Sequence, residues 1–346
     1  MRLVLDGETA YEYWMLANPS VIYTPDKSPR QLLTSFERFS SRDVSQSIGR
    51  QEGISGPIQL LVDSRVERRD SSSVECRVWS ARQALPPKSI YDIGAGLHVV
   101  SPELCLVRLA TMLPYLELLH RLTNMLGLFA FDFWERMELV ERDPITTIGD
   151  IERYLDKIPG ARGTKQLRDA LGSVAERSRS PRESDLILCL RMSARRGGQA
   201  LPDFEVNHRV ELDDAARPLT TKTYLEGDIV WPEKRVAMEY NSDEWHLNTL
   251  QAMTDLEKIT AMQRMGMTVF PVTTRQFSDY KAFRSLVQGV RQALGIRNPE
   301  TEKMDTRRTY LHADLMEVGR KERGRVPLSQ TARWQFIGPR LDYANT

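Results

Sequence analysis

Cysteine is scarce: Cys76, Cys105 and Cys189 are scattered over 346 residues without CxxC spacing. That count excludes a disulfide framework and a thiolate zinc site, and the three read as buried thiols of a cytoplasmic protein. Histidine is equally thin, five dispersed residues, which disfavours a centre needing two or three imidazoles. Charge of one sign is missing too: 48 Lys and Arg against 47 Asp and Glu leave a formal +1. A nucleic-acid partner would therefore be met through local patches rather than through a general basic field. No apolar run approaches the roughly 20 residues of a membrane span. The opening MRLVLDGETAYEYW lacks the basic-then-apolar order of a signal peptide. P-loop, GxGxxG, GxSxG and HExxH motifs are absent. A metal, if used, falls to carboxylates, and hard oxygen ligands suit Mg2+ or Mn2+.

What remains is the composition of a folded protein, 41% hydrophobic and 27% charged, with length enough for two cores. Residues 1–55 mix short apolar and polar pieces and define little. Alternating segments follow at Ile58–Val62, Glu75–Trp79 and Gly96–Val100, separated by turn-rich ERRDSSS and ALPPKS, and predict strands. Ser101-Pro102-Glu103 opens a helical pattern with an N-cap serine and an N1 proline. Pro114 divides that pattern into two helices, and the second stops near Gly127. Residues 145–172 read as helical around a basic loop, GARGTK. The domain boundary falls between Gly127 and Gly160. The expected division is 1–145, 146–297 and a polar tail, 298–346, only partly ordered.

The second half carries the chemistry. Ser180-Pro181-Arg182-Glu183 repeats the cap, proline and N3 glutamate signature ahead of an apolar helix. Strands are predicted at Phe204–Leu212, Thr223–Val230 and Arg235–Tyr240, then a helix from His246 to Met265. A strand at Met267–Thr273 follows, where Pro271 points to an edge position, and then a helix over 280–294. A turn centred near Glu233 pairs strand residues whose numbers sum to about 467, which sets Asp228 opposite Glu239. Side chains directly across such a pair are about 5 Å apart, near enough to share a divalent ion. Without a cation they repel. Glu183 is a third oxygen donor or simply completes a capping box. Asp228 is equally a strand-end turn residue, and Glu239 equally a partner of Arg235 or Lys258. His246 suits a general acid or base or a phosphate contact, or a helix-start residue. Lys258 suits stabilisation of a phosphorane-like charge, or a solvated pair with Asp255. Between Gly160 and Arg196 nine Lys and Arg face four Asp and Glu, a phosphate-contacting patch or a solvated helix face.

The succession SPRES, YLEGDIVWPEKRVAMEYNSDEWH, TDLEK and GMTVFPVTTRQF resembles the very-short-patch-repair-like branch of the PD-(D/E)XK nuclease superfamily. Upstream, PIQLLVDSRVERR, ECRVWSARQALP and VVSPELCLVRLA resemble the AbiEi-like N-terminal region that accompanies this core in some bacterial proteins. The resemblance covers roughly residues 57–280 and places Glu183, Asp228, Glu239, His246 and Asp255 on the family's positions, with Lys258 where an arginine is usual. It implies an α/β (α+β) fold: a restriction-endonuclease-like core of a mixed central sheet flanked by helices, behind a smaller α+β N-terminal domain. It also implies Mg2+- (or Mn2+-) dependent hydrolysis of DNA phosphodiester bonds, in phage defence or DNA repair. The chain departs from the family at Asn241, which stands for the second aspartate of glutamate-x-aspartate, and at Ser242, which stands for glycine. The lysine of the glutamate-x-lysine signature is also replaced by Asn241. Two alternatives follow. One is a catalytically impaired DNA-binding regulator or antitoxin-like protein with a partner encoded nearby; the other is a nuclease acting on RNA or modified DNA.

Overall fold

A computed structural model describes residues 3–16, 24–25, 57–79, 84–94, 97–131, 139–241, 249–297 and 301–325. The protein is α+β and divides into two compact units, residues 1–171 with 320–346, and residues 172–319. The division thus falls after Leu171 rather than after residue 145, because the helices of 148–171 pack with the first unit.

In the first unit six strands form one mixed sheet: β1 (Leu3–Leu5), β2 (Thr24–Pro25), β3 (Ile58–Val62), β4 (Val74–Val78), β5 (Ile90–Gly94) and β6 (Leu97–Val100). Their order is β2-β5-β6-β1-β3-β4, with β1–β6 and β3–β4 parallel. The central β1 is apolar throughout and buried throughout, as a strand covered on both faces must be. Helix α1 (Gly7–Leu16) packs against this sheet, and α2 (Pro102–Leu109) and α3 (Tyr115–Leu126) pack with α1 and with each other. Ser101 Oγ accepts the Leu104 N–H at 3.2 Å and caps α2. Pro114, with no N–H to donate, separates α2 from α3. A short hairpin, β7 (Phe129–Phe131) and β8 (Leu139–Glu141), and helices α4 (Ile148–Lys157) and α5 (Thr164–Leu171) complete the unit.

The second unit begins with α6 (Pro181–Arg191), apolar on all sides from Leu186 to Leu190 and accordingly buried on all sides. Next come β9 (Glu205–Glu211), β10 (Tyr224–Trp231) and β11 (Val236–Asn241), then helix α7 (Thr249–Arg264) and β12 (Thr268–Thr273). Their sheet order is β12-β11-β10-β9; β11 and β12 run parallel, joined through α7. Pro271 lies on the edge strand β12, where a missing N–H leaves no ladder bond unmade. The β10–β11 hairpin pairs Ile229 with Met238, Val230 with Ala237 and Trp231 with Val236, the expected sum of 467. Helices α8 (Thr274–Ser278), α9 (Tyr280–Ala293) and α10 (Glu302–Arg325) follow. The expected polar tail is in large part α10: Arg308, Leu311, His312, Leu315 and Met316, spaced three and four apart, bury one face. Polar composition concealed that stripe because Arg308 and His312 belong to it.

Gly197, at φ 87, follows a short 3-10 turn after α6, and a Cβ there would lie 2.4 Å from the Arg307 carbonyl oxygen of α10. Gly197→Ala is expected to lower unfolding free energy by about 1–3 kcal/mol through strain and overpacking. Urea denaturation checks this; an unchanged midpoint would refute the close approach.

Candidate functional site

β10 and β11 carry their acids where the hairpin ladder gives way. The Asp228 carboxylate itself takes up a backbone donor: Oδ2 accepts the Tyr240 N–H at 2.7 Å. Asp228 is thereby fixed to the neighbouring strand by a charge-assisted bond. On its other side the β9–β10 pairing runs Gly227–His208, then Ile229–Val206, and skips Asp228 and Asn207. Asn207 has φ 50, the left-handed region that breaks regular extension. The face alternation shifts there. Leu225 and Val230, an odd number of residues apart, share one core cluster with Ala261 and Met262 of α7 and with Met265 just beyond it. Gly227 keeps the approach open; a Cβ would stand 2.3 Å from Val230 Cγ2 and 3.4 Å from Glu239 Oε1.

Helix α7 lays one stripe over this sheet. Lys258, Ala261, Met262 and Met265 recur at three- and four-residue spacing, so the apolar members fill the core while Lys258 meets the acids. Lys258 Nζ forms an ion pair with Glu239 Oε2 and lies 3.4 Å from Asp228 Oδ1. The pairing left open by the sequence is therefore with both strand carboxylates. Glu239 is 2% exposed, and its Oε1 is buried without a hydrogen bond among the described residues.

Glu183 takes part in capping α6. Ser180 Oγ accepts the Glu183 N–H at 3.1 Å, while Glu183 Oε2 accepts the Arg179 N–H at 3.0 Å, a cap arrangement displaced by one residue from the usual box. Its other oxygen, Oε1, accepts from Asn207 Nδ2 at 3.2 Å. Burial, and next the charge of Asp228, push its carboxyl up to about 8. The same two causes raise Glu239 well above the carboxylate range, against the opposing Lys258 ammonium. Burial opposes the charge of Lys258, but Asp228 and Glu239 outweigh it and its pKa is raised. Asp255 is raised by burial, with Lys258 acting against that and Asp228 with it.

The donors are hard oxygens, the type Mg2+ and Mn2+ take, and Glu239 Oε1 is an unsatisfied acceptor among them, while the Lys258 ammonium lies against both Asp228 and Glu239. Among the described residues no three His, Cys, Asp or Glu side chains converge closely enough to form a metal-holding group. Glu183 stands within electrostatic reach of Asp228 but is not joined to the strand pair. His246, assigned to acid–base work from the sequence, lies outside the described residues. Asn241 ends β11 and pairs with Thr273 of β12. Asn207 escaped the sequence reading altogether; its only local signal was an asparagine, tolerant of left-handed φ, inside a predicted strand. The basic stretch of 160–196 is divided between the two units, and Arg168, Arg179, Arg182 and Arg191 pair with Asp156, Glu226, Asp185 and Asp203. Much of its charge is thus neutralised within the protein.

Lys258→Met leaves the buried Glu239 carboxylate without its cation, a loss of about 3–5 kcal/mol when the charge cannot be shed. Protonation relieves it, so the deficit against wild type is expected to be larger at pH 8 than at pH 5. Equal deficits in urea titrations at the two pH values would contradict this electrostatic account. Glu183 binds its proton more tightly folded than unfolded, so its stabilisation is complete below about 4.5 and is lost as pH rises to about 8. In EDTA, Glu183→Gln is expected to flatten the fall of stability across that window, by up to about 1.4 kcal/mol per pH unit. An unchanged slope would show that Glu183 does not titrate there.

No family model and no solved structure matches the chain. Two Mycobacterium tuberculosis proteins are similar to part of it: "Uncharacterized protein MT2308" of strain CDC 1551 / Oshkosh and "Uncharacterized protein Rv2248" of strain ATCC 25618 / H37Rv. Each is 25% identical over 125 residues, which make up 36% of this chain and 41% of the relative. The chain therefore spans about two fifths of the length of the curated relatives it matches.

Proposed function

We propose that the second unit is a Mg2+- or Mn2+-dependent phosphodiesterase that cleaves DNA at Asp228, Glu239 and Lys258. The observation that carries this reading is the meeting of two strand carboxylates with a half-buried lysine from the following helix. Asp228 and Glu239 would hold the ion, with Glu183 assisting. When bound, such an ion polarises the phosphate and lowers the pKa of an attacking water.

The chain's own groups perform the remaining tasks. The Tyr240 N–H fixes the orientation of Asp228. Lys258, held charged by its two acids, offers an ammonium to the negative charge that grows on a phosphorane. It places that ammonium beside the carboxylates although Asn241 occupies the lysine position of the glutamate-x-lysine signature. Glu183, with a carboxyl at about 8, exchanges a proton near neutral pH. His246 retains its sequence-based role as acid, base or phosphate contact.

With Mg2+ or Mn2+, wild-type protein is expected to nick supercoiled plasmid and EDTA to stop it. Asp228→Ala and Lys258→Ala should each slow nicking about 100-fold or more. Identical traces for wild type and Asp228→Ala at high purity would sink the catalytic reading. Absent nicking together with EDTA-insensitive DNA binding would instead favour the DNA-binding regulator. Cleavage confined to RNA or modified DNA would reassign the substrate.

A further inference from the structure

Glu205 and His208 stand three residues apart on β9, a spacing that in a regular strand sends side chains to opposite faces. Here they meet: His208 Nδ1 donates to Glu205 Oε2 at 2.6 Å. The left-handed Asn207 between them, at the step where β9 skips Asp228, shifts the alternation by one residue. The ladder shows which face both reach. Glu205 lies opposite Val230, and Val230 packs in the core cluster with Ala261 and Met262 of α7. His208 lies opposite Gly227, two residues along β10 from Leu225 of the same cluster. Residues directly opposed in a ladder share a face. Both side chains therefore lie on the α7 side of the sheet, where Lys258 reaches Glu239.

Gly227 leaves the position across from His208 without a side chain. A Cβ there would stand 3.4 Å from Glu239 Oε1, and opposed side chains start about 5 Å apart. The imidazole thus borders the acids across an open cross-strand position. Its side chain is 27% exposed, and Nε2 makes no hydrogen bond among the described residues. A surface ion pair by itself contributes little to stability, whereas a carboxylate on Nδ1 fixes the ring and its tautomer and leaves Nε2 to accept a proton.

We propose that His208 is a further catalytic residue, the general base of phosphodiester hydrolysis, and that Glu205 is its positioning residue. The inference rests on the phosphodiesterase reading given above. The water oxygen bonds to phosphorus as His208 Nε2 takes the water's proton. The phosphorus–ester oxygen bond breaks, and the leaving oxygen keeps its electron pair and takes a proton from solvent. The imidazolium, stabilised by Glu205, then returns its proton to solvent.

The experiment follows plasmid nicking in Mg2+ by wild type, His208→Ala, His208→Gln, Glu205→Gln and the Glu205→Gln/His208→Ala double variant. His208→Ala and His208→Gln should each slow nicking about 100-fold, the scale of a lost general base. Added imidazole should raise the rate of His208→Ala and leave wild type unchanged. Glu205→Gln alone should cost about tenfold, and in the double variant it should cost nothing beyond His208→Ala, because it acts through the ring. Wild-type rates in His208→Ala overturn the inference and leave the phosphodiesterase standing. So does a slow His208→Ala that imidazole does not help, or a His208→Gln that restores the rate without a base. A wild type that nicks nothing overturns the phosphodiesterase reading, and the inference with it.

Discussion

The ion pair of Lys258 with Glu239, with Asp228 alongside, is the constraint on which the second unit is arranged. A carboxylate 2% exposed between packed strands and a helix is tenable only if it is neutralised. Lys258 reaches it because α7 carries the lysine on the same stripe as Ala261 and Met262. Rotating that helix to bury a different face would withdraw the cation and the apolar side chains together. Electrostatics and packing therefore specify one helix orientation.

Such an arrangement is not the most stable one available. Buried ion pairs frequently do no better than an apolar filling of the same volume. Here Glu183 and Glu239 both hold their protons too tightly for ordinary carboxyls, and Asp228 adds to each. Beside the apolar core of this sheet two acids share one lysine, and Glu183 feels the charge of Asp228. Groups perturbed in this way gather at functional sites and also in structural ion-pair networks.

Much of the fold could be read along the chain because its signals are local. Ser101 and Ser180 before prolines mark helix starts whose caps form as drawn. The hairpin register followed from one turn, since antiparallel pairing propagates a fixed sum outward from it. Pro271 announced an edge strand. The site was less legible. Lys258 had as good a local partner in Asp255 as in the distant carboxylates, and helix spacing alone does not choose between them. Asn207 sits within a predicted strand, and nothing in its immediate sequence marks its left-handed φ beyond its being asparagine. The helix over 302–325 was hidden because arginine and histidine occupy part of its buried stripe.

The sequence by itself determined the α+β class, the caps, the β10–β11 register and the placing of Asp228 and Glu239 on facing strands, since each depends on neighbours a few residues away. The tertiary structure decided how those acids are compensated. It placed Lys258 between them, bound Glu183 to Asn207 and drew the unit boundary after Leu171. These outcomes depend on burial and on contacts between residues 19 to 30 positions apart, and only the closed fold settles which of several chemically reasonable partners comes within hydrogen-bond reach.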